Sequence, residues 1–137
     1  MTVFSWDSFA GLAIQMLEFS WDRPVREAAL RSAVSRAYYA AFHCARLRAE
    51  AEGESIPEKG EAHGTVIRYF RLSSDRDRKD IARALEQLRD DRNEADYQTA
   101  SSVASNARDI LLQTQRVLKM IAALPPVKAT AGPPSGG

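Results

Sequence analysis

The sequence predicts an all-α protein, an up-and-down bundle of four to five helices, and three observations predict it. Apolar residues recur at helical spacing along most of the chain, whereas the alternation of a strand is hard to find. The longest helical segment is rich in alanine, which lets neighbouring helices approach closely. The long segments are joined by short connections, which favours antiparallel neighbours.

The first helix is expected from about Ser5 to Phe19, with Phe9, Leu12, Met16 and Phe19 on one face. In "WDRPVRE" Asp22 can accept from exposed backbone amides, Pro24 sits where a missing N–H costs nothing, and Glu27 favours the positive end of the helix dipole. The second helix runs from about Pro24 to Glu52, carries Ala28, Ala29, Ala33, Ala37, Ala40, Ala41 and Ala45, and stops at Gly53. After the breaker-rich loop "GESIPEKGEA", the segment "HGTVIRYFRL" predicts a third helix. Ser74 or Asp75 can cap a fourth, which ends near Tyr97. Ser101 or Ser102 is expected to cap the fifth, whose stripe is Val103, Ala107, Ile110, Leu111, Thr114, Val117, Leu118 and Ile121. The bundle is thus expected over residues 1–124, and "PPVKATAGPPSGG" over 125–137 predicts a flexible Pro/Gly-rich tail.

Composition narrows the function. A chain of 137 residues, 45% hydrophobic and 27% charged, suits one soluble globular domain. A net charge of +1 provides no global attraction for nucleic acid, so any basic surface must be a local patch. One cysteine, Cys44, leaves no internal disulfide and no cysteine-based zinc cluster, and suits a reducing cytoplasm. The N-terminal stretch lacks a basic leader and reads as an amphipathic helix. No run is long and apolar enough to span a bilayer, so no membrane partner is expected. Neither histidine follows a glutamate at diiron spacing and no glycine-rich phosphate loop appears, so no metal and no cofactor is expected.

Charges on inward stripes carry the functional signal. In "IARALEQLRDDRNEADYQ", Ile81, Ala84, Leu85 and Leu88 form an apolar face, and Arg92 and Asp96 continue it at steps of four. They can pair with each other, which is one reading of both. In "SRAYYAAFHCARL", Arg36, Tyr39 and His43 share one side at the border of the apolar arc. Each has a structural reading too: Arg36 reaching solvent, Tyr39 as a core aromatic, His43 as a packed histidine. His63, the other histidine, opens the third helical segment.

Taken together, "SRAYYAAFHCARLRAE", "HGTVIRYF" and "LRDDRNEADY" resemble the HEPN domains of bacteria and archaea, in particular small stand-alone members often paired with minimal nucleotidyltransferases. The resemblance runs from about Phe9 to Leu124 and implies a bundle of four or five helices. Many such proteins are metal-independent ribonucleases that work as homodimers. Their arginine steadies the scissile phosphate, and a histidine separated from it by four to six intervening residues moves protons while the RNA 2′-hydroxyl attacks. Arg92 matches that arginine. Tyr97, Gln98 and Thr99 stand at the histidine's places, and Thr99 also where the nucleotidyltransferase-paired branch carries a modifiable tyrosine.

The resemblance therefore implies a half-present ribonuclease motif. One expectation is a dimeric partner that binds RNA or a nucleotidyltransferase through a groove of Arg92, Asn93, Asp96 and Tyr97, with Arg36, Tyr39, His43 and His63 nearby. The alternative is an active ribonuclease, the toxin of a toxin–antitoxin pair, using Arg92 with an acid/base relocated to His63, His43, Asp96 or Tyr97. A plain helical scaffold is the third reading.

Overall fold

The computed structural model describes residues 3–127, which form five helices: α1 (Ser8–Glu18), α2 (Arg23–Ala51), α3 (Ala62–Arg71), α4 (Arg76–Tyr97) and α5 (Ala107–Ala122). No strand occurs among the described residues, and no helix is long and apolar enough to cross a membrane. α2 is the central post and packs against all four other helices. Its alanines make this geometry available: Ala33, Ala37, Ala40, Ala41, Ala45 and Ala49 are fully buried, so neighbours approach the backbone closely. Ala28, the first of the alanines in this helix, is exposed. Around the post, Tyr38, Phe70, Ile81, Leu85 and Leu88 have no solvent exposure.

The helix ends follow local chemistry with two exceptions. Gly53 takes the left-handed conformation, φ 98°, that lets the chain leave α2. Asp75 caps α4, its carboxylate accepting from the Arg78 amide. Asp22 forms no such side-chain bond; its carbonyl accepts from the Val25 and Arg26 amides instead. The serines before α5 do not cap it either. The Ser101 hydroxyl accepts from the Val103 amide and donates to Glu94, so residues 101–106 stay in turns and the helix begins at Ala107. Most of the expected stripe is buried, namely Val103, Ala107, Ile110, Leu111, Thr114, Val117 and Ile121, whereas Leu118 is only half-buried.

α1 is shorter than expected and rotated. Its buried residues are Ala10 and Ala13, which let it lie against Ala33, Ala37 and Leu111, while Leu12 and Phe19 are 43% and 62% exposed. Close alanine packing wins over the bulkier stripe because neighbouring α2 is itself lined with alanine. At the other end of the bundle, Glu52 ties three elements together. It accepts from Arg48 at 2.5 Å within α2, from Arg78 Nη1 at 2.9 Å on α4, and from the Tyr69 hydroxyl on α3. The Arg78 hydrogen bond leads in holding its carboxyl at about 2. Leu124 is buried in the core. Residues 128–137, most of the expected tail, lie outside the described residues.

Candidate functional site

Arg92 sits where the α4 stripe of Ile81, Leu85 and Leu88 meets α2, and its side chain keeps only 12% of its accessibility. A guanidinium there needs partners, and the tyrosine pair of α2 supplies them. Its central carbon lies 5.1 Å from the Tyr39 ring centroid and 5.5 Å from that of Tyr38. Nη2 donates to the Tyr39 hydroxyl at 2.8 Å and Nη1 to Asn93 Oδ1 at 2.9 Å. The Asp96 carboxylate stands off at 3.9 Å from Nε, which is buried and has no hydrogen-bond partner. Asp96 instead accepts from the Ser35 hydroxyl of α2 at 3.2 Å. The i to i+4 pairing read from the sequence is therefore present as a loose contact, and the aromatic cradle holds Arg92 more firmly.

The same tyrosines lead to His63. The Tyr38 hydroxyl and His63 Nδ1 share a 2.5 Å hydrogen bond, and a neutral imidazole protonated on Nε2 accepts it from the phenol. His63 also stacks on Phe42, with centroids 4.1 Å apart. Burial, followed by the positive charges of Arg89 and Arg92, pushes the His63 pKa down to about 4. Burial raises that of Tyr38 in turn. At neutral pH the pair is an uncharged phenol and imidazole beside two guanidinium groups. Arg89, half-buried and one turn before Arg92, makes no ion pair among the described residues.

The remaining residues divide. His43 lies 6.1 Å from Tyr39, ring to ring, and is covered by Trp6, whose ring stacks on it at 3.7 Å. Burial, then Arg46, lowers its pKa. Arg36 is exposed, its guanidinium 5.3 Å from the Phe9 ring centroid. Tyr97 is 75% exposed, and no hydrogen bond or ring contact joins it to the cluster, so the expected groove does not include it. The physical reason is rotation: Tyr97 lies one residue past Asp96, about 100° round the helix and on its outer side. Tyr38, Arg89, Phe42 and Trp6 belong to the cluster but were not singled out from the sequence. Arg89 carries a signal there, being three residues before Arg92 on the same helix, whereas nothing local marks Trp6.

No group of three metal-ligating side chains gathers among the described residues. The cluster is a surface patch, and a cavity of about 830 Å³ lies at the far end between Arg48, Glu52, Arg78 and Leu124. Of its charged lining, Arg48, Arg78 and Glu52 are paired with one another, while Asp75 and Asp77 lie outside that network.

Fold and site together define a class: an all-α bundle with a cation–aromatic cluster where its two longest helices meet the start of a third. The family model for the HEPN domain matches residues 23–124, and the chain belongs to the HEPN-domain family. No curated protein and no solved structure matches it. The matched region begins at α2, so α1 and the aromatic residues before it lie outside the family's span.

Proposed function

We propose that this protein is a homodimeric HEPN module that binds RNA, gripping a backbone phosphate with Arg92 and Arg89. The carrying observation is local charge. Two guanidinium groups bear on one neutral histidine, and no carboxylate hydrogen-bonds to Arg92. In a chain of net charge +1, an anion can relieve the part of that charge that Asp96, 3.9 Å from Arg92, does not. Phosphate suits it, because a planar guanidinium binds phosphate oxygens through paired hydrogen bonds. Strong catalysis is not part of this reading, since no histidine follows Arg92 at the motif's spacing and the exposed Tyr97 is a poor base at neutral pH. Pairing with a minimal nucleotidyltransferase rests on resemblance alone, and the branch's acceptor position holds Thr99.

A second reading, the metal-independent endoribonuclease, is favoured by one contact: His63 is joined to Arg92 through Tyr38. In that case His63 takes its other tautomer, with Nδ1–H donating to the Tyr38 hydroxyl. Arg92 steadies the scissile phosphate, and the unprotonated Nε2 takes the proton of the 2′-hydroxyl as its oxygen bonds to phosphorus and the 5′-oxygen leaves.

The test compares wild type, Arg92→Ala and His63→Ala on single-stranded and structured RNA in EDTA, after circular dichroism has shown equal folding. Binding without cleavage at enzyme concentrations near those of the RNA, weakened about tenfold or more by Arg92→Ala, supports the binding module. Cleavage lost in both variants replaces it with the ribonuclease. RNA neither bound nor cut rejects both. Sedimentation of the free protein checks the dimer.

A further inference from the structure

An aromatic group outside the family's span lies next to this site. Phe4, Trp6 and Phe9 pack edge to face, with centroids 5.0, 5.6 and 5.7 Å apart. They are not core residues: Phe4 is 58% exposed, and Trp6 and Phe9 are half-buried. Edge-to-face packing keeps the three rings in place without a core around them. The group is also continuous with the phosphate site. Trp6 stacks on His43, His43 lies beside Tyr39, and Tyr39 carries Arg92. A second cation, Arg36, lies over Phe9.

We infer that Phe4 and Trp6 form a base-stacking site, so that an unpaired RNA base packs on the exposed ring of Phe4, anchored by Trp6, while a phosphate of the same strand lies at Arg92. This rests on the RNA-binding reading above and deepens it. A strip in which aromatic rings alternate with guanidinium groups matches a single strand, whose bases offer π faces and whose backbone offers charge. A second copy of the chain suits it less well, since a two-fold contact across the strip brings Arg36 and Arg92 near their own copies. Asp7 is the acid in the segment, and its carboxylate accepts from the Ser5 hydroxyl. Arg46, on the α2 side, is paired with Glu50 at 2.7 Å.

The experiment measures fluorescence anisotropy of a short labelled single-stranded RNA and of its duplex with wild type, Phe4→Ala, Phe4→Ala/Trp6→Ala and Arg92→Ala. A parallel titration follows Trp6 emission in a Trp21→Phe background, where Trp6 is the only remaining tryptophan. The double variant is expected to weaken single-strand binding about tenfold or more and to leave the duplex unchanged, because duplex bases are already stacked. Arg92→Ala weakens both, and saturating single strand quenches Trp6. Wild-type affinity in the double variant, together with Trp6 emission that single strand leaves unchanged in the Trp21→Phe protein, while Arg92→Ala still loses affinity, overturns the stacking site and spares the RNA reading. Absence of any RNA binding overturns both. Intact RNA binding with loss of the dimer in the double variant assigns the rings to a second copy instead.

Discussion

At the scale of single residues, the site depends on one hydroxyl more than on the carboxylate that the sequence offers. Tyr39 accepts from Arg92 Nη2 at 2.8 Å, whereas Asp96 forms no hydrogen bond with it. Tyr39→Phe keeps the ring under the guanidinium and removes only that acceptor. It is expected to lower stability by about 1 kcal/mol and to weaken RNA binding more than Asp96→Asn does, as measured by urea unfolding and anisotropy. His63 carries a second prediction. Its native pKa of about 4 lies below the ordinary 6.5, so the unfolded chain binds that proton more readily. The stability this confers is complete above about pH 6.5 and is lost as pH falls towards 4. His63→Gln, compared with wild type in thermal melts across that window, is expected to show the shallower decline. A parallel decline in both proteins would mean that His63 is not neutral in the folded state. His43, lowered in the same direction, leaves some slope in the variant.

At the scale of elements, the end of α4 is held from α2. Arg31 donates through Nη1 to the Ala95 carbonyl at 3.3 Å and to that of Gln98, and through Nη2 to the Thr99 carbonyl at 3.0 Å. These are orphan carbonyls of a helix C-terminus, and a guanidinium there also complements the dipole. Arg31→Ala is expected to cost about 1–2 kcal/mol and to speed hydrogen exchange at the amides of residues 95–99, leaving α5 unchanged. Equal exchange in the two proteins would show that the turn after α4 holds itself. The helices themselves were largely legible in the sequence, because period, proline, glycine and the Asp75 cap act within a few residues. The misread serines before α5 and the misread carboxylate of Asp22 have a common cause. A hydroxyl or carboxylate near a helix start has several local partners, and only the folded backbone shows which one it takes.

At the scale of the whole molecule, the proposed RNA binding by a chain of net charge +1 rests on a local basic patch. Three phosphate contacts, at Arg92, Arg89 and Arg36, correspond to log K falling with log salt at a slope of about −2, and Arg92→Ala is expected to flatten it by about 0.7. A salt-independent affinity would remove phosphate from the account. The bundle also depends on α1, which covers Ala33, Ala37 and Leu111 although it lies outside the family's span. Removing residues 1–22 is expected to lower the melting temperature by on the order of 10 °C. It also deletes the Phe4–Trp6 site, so point variants are the cleaner probe of binding.

The sequence by itself determined that the protein is a helical bundle, where α2, α3 and α4 run to within a few residues, and that Arg92 is an inward-facing charge in a HEPN-like setting. These features follow from spacing along one helix, and spacing survives folding. Only the tertiary structure decided that His63 meets Tyr38, that Tyr97 points outwards, that α1 buries alanines and leaves Phe19 exposed, and that Trp6 covers His43. Each depends on how far a helix rotates about its own axis and on which neighbour it meets. At about 100° per residue, an error of a single position turns an inward residue outward. Those rotations are fixed by packing against α2, where buried alanines permit close approach, and no single segment of the chain contains that information.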